Sequence, residues 1–190
     1  AGFGASRTAS GAPPAMAGVK SDPLAALDPP ARAGFKPDQL AAMDATAMAG
    51  FKPDQIGAMD ATAMAGFDPN KMAALDPLAM AGFKADQMAA LDTNAVAALD
   101  STKIANLDPT AMAGFDSLKL NALDPTAMAG MQKDQIAGLN DAAMGGFSAA
   151  QMTALAPTAV AGFKSTEVAA VDPTAMAGFK QEQVAAMDAA

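Results

Sequence analysis

The chain has 190 residues, a formal net charge of −8 and a composition dominated by Ala, Gly, Met, Pro and Asp. It contains no Cys, His, Trp or Tyr, which excludes a disulfide framework and thiolate chemistry. The acidic balance without a basic patch argues against nucleic-acid binding, and the lack of any run of 18 apolar residues free of Asp, Lys or Pro argues against a transmembrane helix.

Residues 1–15 differ from the chain that follows them. They are rich in Gly, Ser and Ala, and from residue 4 they carry no regular apolar spacing. We predict an irregular N-terminal segment or linker here, followed by an octapeptide-repeat solenoid over residues 16–190.

An eight-residue period runs through the chain. Ala-Gly-Phe recurs at intervals of 16 residues or multiples of 16, for example at Phe35, Phe51 and Phe67, and Leu or Met lies halfway between. We number each octad so that these apolar residues occupy position 8. Position 8 is apolar at 23 of 24 places and position 5 at 21 of 23, so the register never shifts. Each octad must therefore occupy an equivalent place in the fold.

Each octad carries the signals of one short helix. Position 1 is often Asp, a good N-cap, and position 2 is often Pro, which suits the first helical position. Alternate octads have Gln at position 4, whose side chain can reach back to the cap. The other octads have Gly at position 7, which predicts a left-handed helix end. The predicted caps are Asp44, Asp60, Asp76, Asp108, Asp124 and Asp172.

These signals predict an all-α solenoid of very short helices. One long helix would have to accommodate Pro or Gly nearly every eight residues, at about 1–3 kcal/mol each, and a β-solenoid would need β-branched residues alternating with a period of two. Because two octad types alternate, we predict two octads (16 residues) per coil, with the Phe side chains in a ladder along one edge. The predicted core residues are Met48, Phe51, Ile56, Met59, Met64, Phe67, Met112, Phe115, Met128, Phe163, Met176 and Phe179.

The octads at the C-terminal end keep the full pattern. A solenoid normally ends with an atypical capping repeat, so we expect the array to continue or to dock beyond this end.

The residues predict no catalytic, cofactor-binding or metal site. Asp at position 1 supplies one carboxylate per octad, whereas a calcium ion takes about 6–8 oxygens, so these residues are interpreted as caps. Met at position 5 interchanges with Ile, Leu and Val, which indicates core packing rather than soft-metal binding. Every acidic residue has many equivalents, and an active site needs a unique place. The chain is therefore predicted not to be an enzyme.

Two polar rows leave surface functions open. Lys recurs at position 1 of the Gln-bearing octads, so one edge of the rod is predicted to be acidic and the other mixed. These edges are either a solvated surface or complementary surfaces for lateral association. Thr recurs at position 3, which raises the hypothesis of ice binding. The Thr residues concerned are Thr46, Thr62, Thr110, Thr126, Thr158 and Thr174.

The stretches Phe51-Lys52-Pro53-Asp54-Gln55-Ile56-Gly57-Ala58-Met59 and Met131-Gln132-Lys133-Asp134-Gln135-Ile136-Ala137-Gly138-Leu139 carry a family resemblance. The octad resembles the Thr-Pro-Glu-Gln-type octapeptide repeats of large bacterial surface and adhesin-like proteins, over most of the chain beyond residue 16. It differs in using Asp at the cap and Gly-Phe in alternate octads. The resemblance implies an extracellular or cell-surface spacer or scaffold and brings no catalytic residues with it.

We therefore predict a structural repeat protein that acts as a rod, a spacer or a subunit of an extracellular filament or surface assembly. Its expected partners are other copies of itself or neighbouring subunits. The alternative hypothesis is a binding module whose regular face recognises a repetitive ligand such as ice, mineral or polysaccharide.

Overall fold

The computed structural model describes residues 35–188. The predicted irregular segment at residues 1–15 lies outside the described residues. Over residues 35–188 every octad forms one short helix, and positions 8 and 1 form an extended corner that leads to the next. At one such corner Phe51 has φ −80° and ψ 137°, and Lys52 has φ −103° and ψ 159°. The described part of the chain has no strand, and the prediction of an all-α solenoid is confirmed.

Two kinds of helix alternate along much of the chain. The α-helices span Pro37–Ala41, Pro53–Gly57, Pro69–Ala74, Ala85–Ala90, Thr93–Val96, Ser101–Ala105, Ser117–Ala122, Lys133–Gly138, Asp141–Met144, Ala149–Ala154, Pro157–Val160, Ser165–Ala170, Pro173–Met176 and Gln181–Asp188. The 3₁₀-helices span Ala45–Gly50, Ala61–Gly66, Pro77–Gly82, Pro109–Gly114 and Pro125–Gly130. The 3₁₀-helices all occur in octads with Ala at position 4, whereas octads with a large polar residue there are α-helical.

The caps differ between these two kinds of octad. In the first kind, Asp44 accepts a hydrogen bond from the backbone N–H of Thr46, two residues further on, at 2.8 Å. In the second kind, Asp68 accepts from the N–H of Lys71, three residues further on, at the same distance. The shorter reach matches the tighter first turn, in which the N–H of Ala47 donates to the carbonyl of Asp44 at 3.0 Å.

One coil contains three octads, and the prediction of two octads per coil is wrong. Among the described helices, each pair that packs together lies three octads apart along the chain, as for Ala85–Ala90 against Pro109–Gly114. Because three is odd and the octad types alternate with a period of two, each octad stacks on octads of the other type. A two-octad coil would instead have stacked position 4 glutamines on one another, in place of the Gln-over-Ala packing that is observed.

The predicted Phe ladder along one edge is also wrong. One column of stacked position 8 residues reads Phe35, Met59, Phe83, Leu107, so large aromatic rings alternate with aliphatic side chains. The Phe rings that contact one another belong instead to position 8 residues two octads apart in the sequence. The rings of Phe67 and Phe83 lie 6.3 Å apart between centroids, edge to face.

Positions 5 and 8 of most octads, together with Ala at position 4 of alternate octads, form one continuous hydrophobic core through the described residues. Met48, Phe51, Ile56, Met59, Met64, Phe67, Met112, Phe115 and Met128 are all buried in it, with at most 5% of their surface exposed. Phe163 and Phe179 are partly buried and pack against the core. Met176 is 37% exposed. Met176 and Phe179 lie in octad 172–179, whose helix packs on one described helix, Ala149–Ala154, instead of two.

The position 7 glycines are needed for close packing and not for a left-handed helix end. No glycine within residues 35–188 has a positive φ, so that prediction is wrong. A Cβ added to Gly82 would lie 1.8 Å from the carbonyl oxygen of Pro53 on the stacked octad, and one added to Gly114 would lie 2.1 Å from that of Ala85. Any side chain here would push neighbouring coils apart.

Candidate functional site

The described surface has shallow grooves between stacked octads. One groove, of about 370 Å³, is lined by residues 57–61 together with Lys84 and Asp86. Another, also about 370 Å³, is lined by Pro109, Thr110 and Asp134 among others. Both grooves are open to solvent, and each is lined by octads that stack on one another. Within residues 35–188 no group of acidic side chains is arranged to hold a metal ion. None of the described helices is both long and apolar enough to cross a membrane.

Three octads per coil give the solenoid three faces, each a column of stacked octads. The mixed face consists of the octads that begin at residues 36, 60, 84, 108, 132, 156 and 180. The first acidic face consists of those that begin at 44, 68, 92, 116, 140 and 164. The second acidic face consists of those that begin at 52, 76, 100, 124, 148 and 172. On every face, positions 1, 3 and 6 point mainly to solvent.

The mixed face carries most of the exposed lysines. Four of them lie there: Lys36, Lys84, Lys133 and Lys180. Its position 1 column begins Lys36, Asp60, Lys84, Asp108, so the sign of the charge alternates from one coil to the next. Position 6 of this face is Ala in every described octad, which leaves a smooth strip beside the charges.

The two acidic faces present rows of capping aspartates. The first acidic face has Asp44, Asp68, Asp92 and Asp116 one above another at position 1. The sequence predicted one acidic and one mixed edge. The third octad per coil adds a second acidic column, which contains Asp76, Asp100, Asp124 and Asp172.

Hydrogen bonds from the first helical turn lower the pKa of many of these aspartates. For Asp44 the largest cause is the backbone N–H of Thr46, and for Asp60, Asp108, Asp124 and Asp172 it is the hydroxyl of the Thr two residues further on. In other octads a lysine is the cause. The hydrogen bond from the Lys71 ammonium lowers the pKa of Asp68, and the backbone N–H groups of Lys103 and Lys119 lower those of Asp100 and Asp116. All six predicted caps lie at helix N-termini and accept such a bond.

The Thr residues do not form one array. Thr46 lies on the first acidic face, Thr126 and Thr174 on the second, and Thr62, Thr110 and Thr158 on the mixed face. On the mixed face Thr alternates with acidic residues at position 3. The hydroxyls of five of them donate to the Asp cap of their own octad (Thr46, Thr62, Thr110, Thr126 and Thr174). A flat Thr surface of the kind that the ice hypothesis needs is therefore absent from residues 35–188.

A row of buried polar side chains at position 4 joins the coils. Gln87 is fully buried, and its Oε1 accepts a hydrogen bond from the backbone N–H of Lys84 at 2.9 Å. Its Nε2 donates to the carbonyl oxygens of Ile56 and Met59, both at 2.8 Å. These carbonyls lie at the end of the helix of an octad on the preceding coil, where helix carbonyls run out of intrahelical partners. The Ile56 carbonyl also accepts from the backbone N–H of Met59 at 3.0 Å. Gln135, Gln151 and Gln183 make the equivalent bonds.

In four octads the buried residue at position 4 is charged, and position 1 carries the opposite charge. Lys71, Lys103 and Lys119 are buried and pair with Asp68, Asp100 and Asp116. The fourth octad reverses the charges. Glu167 is completely buried and pairs with the Lys164 ammonium at 2.8 Å, and that ammonium also donates to the carbonyl of Ala137. Each buried charge thus has a partner within its own octad, as burial requires.

The burial of position 4 was not predicted from the sequence, although its Gln was expected to reach the cap and does so. A signal was present. Position 4 alternates between Ala and a large polar residue, and its charge complements that of position 1 in the charged octads. A position exposed to solvent would need neither the alternation in size nor the charge complementarity with position 1.

Neither a known protein family, nor a curated protein, nor a solved structure matches this chain. The geometry of the described residues is the remaining guide to function. That geometry offers long, regular, mostly acidic surfaces over a continuous core, and chemically it is suited to non-covalent contact along its length.

Proposed function

We propose that this chain is a structural protein that acts as a rod, a spacer or a subunit of a filament or surface assembly, without a catalytic role. The observation that carries the proposal is the continuous core of residues 35–188. Every octad in this range contributes buried or partly buried side chains to it, and the helices pack on helices one coil away. Such a stack keeps its ends at a fixed distance, which is the mechanical property of a spacer.

Further support comes from what the sequence lacks. It has no His, Cys or Tyr to serve as a general base or nucleophile, and its carboxylates occur as many equivalent copies. An extracellular or cell-surface location is part of the proposal, and its support is the resemblance to octapeptide repeats of bacterial surface proteins. A chain without thiols can fold in an oxidising compartment without forming wrong disulfides.

The second hypothesis, a face that binds a repetitive solid or polysaccharide, has less support. It was suggested by the Thr row, and the Thr residues are divided among three faces with most hydroxyls engaged by caps. We therefore propose the structural role alone.

Small-angle X-ray scattering of the purified full chain tests the proposal. A compact globule of 190 residues would have a radius of gyration of about 16 Å. About six coils at roughly 8–10 Å per helix layer make the described part about 50–60 Å long, so we expect a radius of gyration of about 20 Å or more for the whole chain. A value near that of a globule would contradict the proposed function.

A further inference from the structure

We propose that two copies of this chain pair side by side through their mixed faces, antiparallel, about a two-fold axis that passes between the stacked octads 60–67 and 84–91. The inference rests on the proposed structural function and specifies one partner, a second copy of this chain. Two-fold pairing through one self-complementary surface is the commonest form of association between identical chains.

The alternation of charge at position 1 is the first observation. Lys36, Asp60, Lys84 and Asp108 are all exposed and lie one coil apart in this order. A two-fold axis that lies in the plane of the face and is perpendicular to the column places this column opposite the same column of the second copy, which runs in the opposite direction. With the axis midway between Asp60 and Lys84, each Lys of one copy lies opposite an Asp of the other. The arrangement forms four ion pairs, two between Lys84 and Asp60 and two between Lys36 and Asp108.

The residues at position 3 are compatible with the same two-fold axis, which is a second and separate observation. Its column on the mixed face reads Asp38, Thr62, Asp86, Thr110, and all four side chains are exposed. The axis that pairs Lys with Asp at position 1 places each of these aspartates opposite a neutral Thr of the second copy. No carboxylate then faces another carboxylate in the overlapping columns, so the like-charge contacts that would oppose pairing are avoided.

Position 6 determines how closely the faces can approach. Its residues here are Ala41, Ala65, Ala89 and Ala113, all exposed. Methyl groups allow the two columns of helices to come close enough for the charges on either side to meet.

The acidic faces do not permit the same pairing. Asp44, Asp68, Asp92 and Asp116 would lie opposite one another for any two-fold axis placed among them. The second acidic face has the same defect at Asp76, Asp100 and Asp124. Charge complementarity thus favours the mixed face and, within it, the register that forms the largest number of ion pairs.

The size of the contact indicates a weak complex. Four octads at roughly 8–10 Å per layer, each with a helix about 10 Å long, cover on the order of 300–400 Å² per copy. Stable interfaces bury about 800 Å² per partner. We therefore expect the pair to form at high protein concentration and to depend strongly on its ion pairs.

Sedimentation equilibrium of the full chain and two charge variants tests the inference. Lys84→Glu opposes two of the four ion pairs, and we expect it to raise the dissociation constant at least tenfold. Lys52→Glu makes the same change of charge at an exposed position 1 on the second acidic face, and we expect a change within about twofold. Equal effects of the two substitutions, or a wild-type chain that stays monomeric, would overturn the inference.

Distances between spin labels test the register directly, because the chain has no native cysteine. A single label is placed at Ala41→Cys in one sample and at Ala113→Cys in another. Both sites lie one and a half layers from the proposed axis, so each label lies three layers from its mate. We expect the same distance in both samples, roughly 24–30 Å along the column. Unequal distances, or no dipolar coupling in the dimer, would rule out this register.

The two proposals can fail separately. An elongated monomer that never pairs through the mixed face would remove the dimer and leave the structural function standing. A compact particle would remove the structural function, and with it the columns on which the dimer is built.

Discussion

The side-chain amide of Gln87 donates to the carbonyl oxygen of Ile56, 31 residues earlier in the chain, at 2.8 Å. With its bond to Met59 and the bond it accepts from Lys84, this one buried side chain forms hydrogen bonds with three backbone groups. The contact joins the start of one helix to the end of another on the preceding coil. Polar bonds, and not only apolar packing, therefore align successive coils.

Replacement of Gln87 by Leu tests the strength of this link. The change removes three hydrogen bonds and leaves the Lys84 N–H and the Met59 carbonyl without the partner they have in the wild type, so we expect a loss of about 2–4 kcal/mol in the free energy of unfolding. Urea denaturation, with hydrogen exchange of octads 52–59 and 84–91 to locate the effect, provides the measurement. Gln181→Leu is the matched control, because Gln181 is exposed and its substitution should change stability by under about 0.5 kcal/mol. Equal losses from both substitutions would show that burial of the amide is unimportant.

Glu167→Gln should stabilise the protein. Glu167 occupies position 4, where Gln87 lies in its own octad. The carbonyls of Ile136 and Leu139 lie 31 and 28 residues before Glu167, at the same spacing as the two carbonyls that accept from Gln87. A carboxylate has no proton to donate to them. The amide should supply those bonds, and we expect a gain of about 1–2 kcal/mol. The measurement is thermal unfolding followed by circular dichroism. Glu182→Gln, at an exposed site, is the control. A drop in stability would mean that the ion pair with Lys164 outweighs the missing donors.

Two adjacent glycines should respond in opposite ways to Ala. A Cβ on Gly146 would lie 2.1 Å from the carbonyl oxygen of Ser117, whereas one on Gly145 would meet nothing within 4 Å. We expect Gly146→Ala to destabilise the protein by about 2–3 kcal/mol through displacement of a coil. Gly145→Ala should stabilise it by about 0.5–1 kcal/mol, because Ala has the higher helix propensity. The comparison uses the same denaturation assay, and similar values for the two variants would contradict the close stacking of coils.

A charge introduced into the core should unfold the stack locally. Met112 is fully buried, and its helix packs on Ala85–Ala90 and Lys133–Gly138. We expect Met112→Asp to abolish hydrogen-exchange protection in octads 84–91, 108–115 and 132–139 while the flanking octads stay protected. Ala113→Asp, at the exposed neighbouring residue, should leave protection unchanged. Loss of protection throughout the chain would show that the array unfolds as one unit.

The capping aspartates should make the folded chain less stable at low pH. Their pKa values are lowered in the folded chain by bonds to Thr and Lys, as for Asp60 and Asp68. A carboxyl with a lowered folded pKa binds its proton first in the unfolded state, near pH 4, so its contribution is complete above that pH and is lost as the pH falls through the folded value. We expect the melting temperature to be level from about pH 7 to 5 and to fall below about pH 4. A melting temperature that rises on acidification would contradict this assignment.

Local features were predicted from the sequence because each depends on few residues. Asp at position 1 caps the helix in every octad from 44–51 to 172–179 that carries it, and apolar residues at positions 5 and 8 share one helix face, so caps such as Asp108 and core residues such as Phe115 could be assigned. The size of the coil depends instead on how the octads close into a ring. The alternation of two octad types does not determine how many octads form one coil. The prediction of two octads per coil was based on that alternation alone.

The same alternation contains the information that was missed. Gln55 is large and its stacked neighbour Ala79 is small, and both are buried, so position 4 fits only if unlike octads stack. Stacking of unlike octads requires an odd number per coil. The surface could not be predicted without that number, because it decides whether Lys84 lies in a column with Asp60 or with Lys52.

The combination of a three-octad ring with two octad types constrains how the gene for such a chain can lengthen or shorten. Duplication of a single octad, or of three octads together, would stack octads of the same type on one another. Two position 4 glutamines would then meet where one glutamine packs against an alanine. Duplication of a pair of octads would keep unlike octads together but turn every later side chain onto another face. Only steps of six octads return each residue to both its former neighbour and its former orientation.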